Sequence, residues 1–175
     1  EQGSGYWYVM TAGGTPVQWG QNFTGQGYTA VPGDYDGDGV HDYALYHRST
    51  GSWFIRAATG TNIVWGAGFG GQEYQPVAGD YNGDGRFDLA LYHQSSGAWY
   101  AWSLAAGGYA VEGLVWGGPG YVPVPGDYSG NGTYDLAVYN EALGRWMLRT
   151  IDGGQSITVD NFGGPGLAPV LPSLW

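Results

Sequence analysis

The sequence predicts an all-β fold, a β-propeller of four-stranded antiparallel blades, and three observations predict it. The first is an internal repeat. Aligning Asp34, Asp80 and Asp127, at spacings of 46 and 47 residues, superposes AVPGDYDGDGVHDYALYH, PVAGDYNGDGRFDLALYH and PVPGDYSGNGTYDLAVYN. The second is that each repeat has room for four short strands and shows no helical periodicity. The third is composition: 35 glycines beside 17% aromatic residues fit many turns feeding large packing side chains. Four antiparallel strands at a period of about 40–50 residues is how a blade is written. A blade cannot bury both of its faces alone, so blades must stack.

Taken in order, residues 1–29 are a partial repeat holding only the later markers, GYW at Trp7 and WG at Trp19. Full repeats follow at 30–75, 76–122 and 123–168, and 169–175 is a closing strand, all within one repeat domain of residues 1–175. In each repeat the first strand lies near Val31, Val77 or Val124. The second is DYALY, DLALY or DLAVY. The third starts at the recurring Trp53, Trp99 or Trp146, which is expected to pack between blades. The fourth ends at an aromatic-glycine pair, read as Trp65, Trp116 and Phe162. A fourth blade is split between the termini and incomplete, because it lacks an acidic loop and a DLALY strand. The C-terminal strand is expected to close the ring on the N-terminal piece. A longer parent with more blades, or a second chain, are the other ways to complete it.

Composition excludes several functions. The net charge is −10 and all five basic residues are arginine, which argues against nucleic acid and against an anionic membrane surface. No apolar run reaches spanning length, so membrane insertion is not expected. No signal peptide remains, and the start at Glu1 fits a processed or excised piece. With no cysteine, the redox compartment is not written in the chain. Nine of the fifteen acidic residues fall in three short loops, so the charge is local and points to bound cations.

In the first loop Asp34, Asp36 and Asp38 stand at positions 1, 3 and 5, and Asp42 at position 9. Alternate spacing turns carboxylates toward one point, Gly37 and Gly39 permit the tight backbone, and the carbonyl of Val40 adds a neutral oxygen. Hard oxygen ligands of this kind suit Ca²⁺ better than Mg²⁺. The second loop offers Asp80, Asn82, Asp84, the Arg86 carbonyl and Asp88. The third offers Asp127, Ser129, Asn131, the Thr133 carbonyl and Asp135. Carboxylates thus fall from four to three to two, and affinity is expected to fall in that order, with two to three structural ions in all. Position 12 is Leu45, Leu91 or Val138 rather than glutamate, so these are not EF-hands. The cation would pin a β-hairpin.

GDYDGDGVHDYALYHRSTGSWF and GDYNGDGRFDLALYHQSSGAWY resemble FG-GAP or VCBS-type repeats, the calcium-binding blades of integrin α-chain heads and of many bacterial surface proteins. The resemblance implies propeller blades with Ca²⁺ in the hairpin between the first and second strands. It carries over to Asp34, Asp36, Asp38, Asp42, Asp80, Asn82, Asp84 and Asp88, and in part to Asp127, Asn131 and Asp135. The fourth repeat departs from it, with Ser173 where the first aspartate would stand.

No catalytic constellation is evident, and the protein is expected not to be an enzyme. His47 and His93 occupy one repeat position, filled by Asn140 in the third copy, which marks a structural role. Where copies diverge, recognition has freedom. Three residues after each recurring tryptophan stand Arg56, Trp102 and Arg149, and Tyr109 lies in a longer connection nearby. These four are the candidate ligand-binding residues, since aromatic rings stack on sugars and arginine bonds hydroxyls and carboxylates. The expected function is a secreted or cell-surface, calcium-binding, lectin-like recognition or adhesion module for a glycan or cell-surface protein. The alternatives are an accessory domain of a polysaccharide-degrading enzyme with catalysis elsewhere, and an oligomerisation scaffold, which would make a homo-oligomer.

Overall fold

The computed structural model describes residues 27–169, together with the backbone of two strands at 6–10 and 16–22. Those two, β1 (Tyr6–Met10) and β2 (Pro16–Asn22), form an antiparallel pair. Three four-stranded antiparallel sheets follow in chain order. The first holds β3 (Tyr28–Ala30), β4 (Tyr43–His47), β5 (Ser52–Arg56) and β6 (Asn62–Gly68). The second holds β7 (Tyr74–Pro76), β8 (Leu89–His93), β9 (Ala98–Ser103) and β10 (Gly108–Val115). The third holds β11 (Val122–Pro123), β12 (Leu136–Asn140), β13 (Arg145–Arg149) and β14 (Ser156–Val159). No helix occurs among the described residues. Among the described residues the sheets do not close into a ring. The side chains of Trp7 and Trp19, and the closing strand with Ser173, lie outside the described residues.

The second strand of each repeat explains how the sheets stack. Ala44 and Tyr46 of β4 share a core with Leu89 and Leu91 of β8, and Ala90 and Tyr92 of β8 share one with Leu136 and Val138 of β12. Successive side chains point to opposite faces. Both faces of β8 are covered by neighbouring sheets, so it shows no polar alternation. Trp53 and Trp99 are buried in these cores, as their recurrence predicts.

The indole N–H of each recurring tryptophan marks the end of its repeat. Trp53 donates to the Phe69 carbonyl (3.1 Å), Trp99 to Trp116 (2.9 Å) and Trp146 to Phe162 (3.0 Å). Phe69, not Trp65, is therefore the counterpart of Trp116 and Phe162. Trp65-Gly66 is a bulge: Gly66, at φ 74°, is an extra residue at one of two slips of β6 against β5, and Gly113, at φ 65°, is an extra residue at one of two slips in β10. The closing glycine has a steric reason. A Cβ on Gly70 would meet the Tyr46 hydroxyl at 2.6 Å, and one on Gly117 would meet that of Tyr92 at 2.7 Å. The first strands end at Ala30, Pro76 and Pro123, one residue before the predicted valines. Those valines still donate to Ala44, Ala90 and Ala137 (2.8, 2.9 and 2.8 Å).

Candidate cation-binding loops

Each acidic loop joins the first two strands of its sheet and is closed by an isolated bridge, Gly33–Asp42, Gly79–Asp88 or Gly126–Asp135. Glycines at positions 4 and 6 of all three loops have positive φ, 71–85°. Each loop is wound on its position-1 carboxylate. Asp34 accepts from the N–H groups of Gly37 (2.6 Å) and Gly39 (2.8 Å), Asp80 from Gly83 (2.6 Å) and Gly85 (2.8 Å), and Asp127 from Gly130 (2.7 Å) and Gly132 (3.0 Å). Position 5 holds the position-7 N–H: Asp38 to Val40, Asp84 to Arg86 and Asn131 to Thr133. Position 9 reaches back under the loop to the tyrosine N–H at position 2, from Asp42 to Tyr35 (2.8 Å), Asp88 to Tyr81 (3.0 Å) and Asp135 to Tyr128 (2.8 Å).

In the first loop Asp34, Asp36 and Asp42 converge, with one oxygen of each within 4.8 Å of the others. Two oxygens about 2.4 Å from a common calcium ion can stand at most about 4.8 Å apart, so the spacing fits that ion. Asp42 is 1% exposed, and its Oδ1 has no hydrogen-bond partner among the described residues. Burial pushes its carboxyl above the ordinary range, the Tyr35 N–H and the nearby Ala58 N–H act against that, and the charges of Asp36 and Asp34 add to it. A buried carboxylate oxygen without a donor is costly, and a hard cation is the partner that the surrounding oxygens suit. Asp38 lies outside the converged group and serves its own turn.

In the second loop Asp88 is pushed up to about 6, by burial first and then by Asp84 and Asp80. Here Asn82 Nδ2 donates to Asp84 Oδ2 (2.9 Å) and to Ser103 Oγ on β9 (3.0 Å). Ser103 is absent from the sequence-predicted set. Its equivalents are Ala57 and Thr150, so nothing in the loop itself marks it; only comparison of the position four residues after each repeat tryptophan could. In the third loop the Ser129 hydroxyl turns inward to Asp135 Oδ1 (3.3 Å), and Asn131 Oδ1 also accepts from the Thr133 hydroxyl (2.5 Å).

Of the four candidate ligand residues, Trp102 and Tyr109 are brought together, edge to face at 5.0 Å. Trp102 also packs against the core between the first two sheets, whereas Tyr109 is exposed. Arg56 and Arg149 occupy the equivalent point of the first and third sheets. Arg56 Nε donates to the Gly60 carbonyl (2.9 Å), and the Arg149 guanidinium lies 5.9 Å from the Trp116 ring.

His47 and His93 close hairpin turns. His47 Nδ1 contacts Thr50 Oγ1 (2.8 Å) and His93 Nδ1 contacts Ser96 Oγ (2.7 Å). Asn140 Oδ1 accepts from the Leu143 N–H at the same point of the third sheet.

The family model described as FG-GAP-like repeat matches residues 34–91, from the first aspartate of the first loop into β8. No curated protein and no solved structure matches the chain.

Proposed function

From an FG-GAP-type repeat as premise, we propose that this protein is a non-enzymatic, Ca²⁺-stabilised recognition module of β-propeller type, secreted or at the cell surface, for a glycan or cell-surface protein. The observation that carries the reading is the unpartnered, buried Oδ1 of Asp42 beside Asp34 and Asp36. Bound Ca²⁺ would supply positive charge and stability to the folded state through mass action. Asp34, Asp36 and Asp42 would hold it in the first loop, with Asp80, Asn82, Asp84 and Asp88, and then Asp127 and Asp135, as the corresponding oxygens of the other two. Loops whose tips are open to solvent fit the millimolar calcium of extracellular fluids, which fills even weak modular sites.

Further points support the reading. The same kind of interface joins the first sheet to the second and the second to the third, as expected for stacked blades. Exposed Tyr109 beside Trp102 offers a stacking platform. His47 and His93 share a turn contact at the point where Asn140 also bonds its turn, which favours a structural over a catalytic role for them.

Thermal unfolding with calcium and with chelator tests the cation. The melting temperature is expected to rise with calcium, and a binding isotherm is expected to show at least two affinity classes with the third loop weakest. Identical melting in both conditions overturns the reading, and equal affinities overturn the ranking. A glycan array comparing the native chain with Tyr109→Ala tests recognition. Loss of signal in the variant is expected, and an array blank for the native chain removes the glycan reading.

A further inference from the structure

We infer that the loops are mechanically coupled along the chain: each sheet holds the loop of the sheet before it, so a cation bound at 80–88 tightens binding at 34–42. The inference rests on the reading of these loops as cation sites. Its geometry lies in the residue at loop position 8. Phe87 donates its N–H to the Asp34 carbonyl (2.7 Å), and its ring lies on Gly33 so closely that no Cβ fits there. Arg86 lies over the same loop, with Nε 2.9 Å and Cγ 3.0 Å from where a Gly37 Cβ would be. Gly37 in turn donates to Asp34 Oδ1.

Phe87 is flanked by two proposed ligands of its own loop, the Arg86 carbonyl at position 7 and the Asp88 carboxylate at position 9. Fixing 86–88 around a cation therefore fixes both the backbone clamp on Asp34 and the side chain over Gly37. The same arrangement recurs one sheet on. Tyr134 donates to the Asp80 carbonyl (2.6 Å), its ring covers Gly79, and Thr133 Cγ2 lies 3.1 Å from where a Gly83 Cβ would be. Ordering a loop costs conformational entropy, and a neighbour already ordered by its own ion lowers that cost. Linkage makes the effect reciprocal, so the first loop supports the second by the same factor. Counting carboxylates treats the loops as independent, whereas this contact makes the affinity of the first depend on the state of the second.

Calcium addition followed by amide NMR separates the loops, with Gly39 reporting the first and Gly85 the second. Asp36→Asn weakens the first loop, which otherwise fills ahead of the second, and about 1 M KCl screens the lost charge beyond about 3 Å. The midpoint at Gly39 is expected to rise past that at Gly85, and by reciprocity the Gly85 midpoint rises with it by about fivefold or more relative to the native chain in the same salt. A Gly85 midpoint within about twofold of the native value, while Gly39 moves past it, overturns the coupling. If Asp36→Asn fails to fold or leaves the first loop filling first, Asp36→Ala is read the same way. No response of either amide in the native chain overturns the cation reading itself, and the coupling with it.

Discussion

The second and third sheets carry nearly the same motif and meet opposite fates. Tyr81 is 2% exposed and its counterpart Tyr128 47%; Val111 is 4% exposed and Ile157 49%. Trp99 is buried, whereas Trp146 is half-buried. Local structure does not differ. Both tyrosines donate to the valine carbonyl four residues back (2.6 and 2.9 Å), and both indoles close their repeat. The difference is the neighbour. Leu136 and Val138 cover the far face of the second sheet. At the corresponding place on the third is an open cleft lined by Tyr128, Leu148, Arg149, Thr150 and Ile157 among others. Each repeat thus makes its own sheet, and burial comes from the sheet that follows.

The largest expected effect tests this directly. Trp99→Ala should cost about 3–5 kcal/mol in denaturant unfolding, and Trp146→Ala about half that. Equal costs would mean that the third sheet is as well covered in solution as the second. Next comes the pH dependence of the buried loop. Asp88 has a folded pKa of about 6, above the unfolded value of about 4. Its contribution to the stability of the metal-free protein is therefore fully present below about pH 4 and is lost as pH rises through about 6. Melting temperatures of metal-free protein should fall across that window, and Asp88→Asn should flatten the fall. The smallest effect is the hydroxyl pair. Tyr81→Phe leaves a buried Val77 carbonyl without its donor and should cost about 1–2 kcal/mol. Tyr128→Phe, where water reaches, should stay within about 0.5 kcal/mol.

Much of the candidate site was legible because its signals are short-range. Carboxylates at alternate positions, glycines at positions 4 and 6 and aspartate at position 9 form a local turn code, and the three loops realise it in the same way. The third marker misleads for a related reason. An aromatic-glycine pair reads alike at a β-bulge and at a repeat end, and only the indole hydrogen bond to Phe69 separates Trp65-Gly66 from Phe69-Gly70. Along one repeat Trp102 stands at a divergent position that the repeat pattern leaves free. Its packing against the neighbouring core is a contact between sheets, which spacing along one repeat does not encode. Ser103, brought to Asp84 and Asn82 from a strand nineteen or more residues away, was invisible for the same reason.

By itself the sequence determined the repeat, the four strands of each sheet, the loop chemistry and the tryptophan that anchors each core. All of these depend on periodicity or on contacts within one repeat. Tertiary structure alone decided which copies of identical residues are buried, which aspartate oxygen is left without a partner, and that Phe87 and Tyr134 reach back to hold the preceding loop. Those outcomes depend on what one sheet meets in the next, and a repeat written the same way each time carries no record of its neighbours.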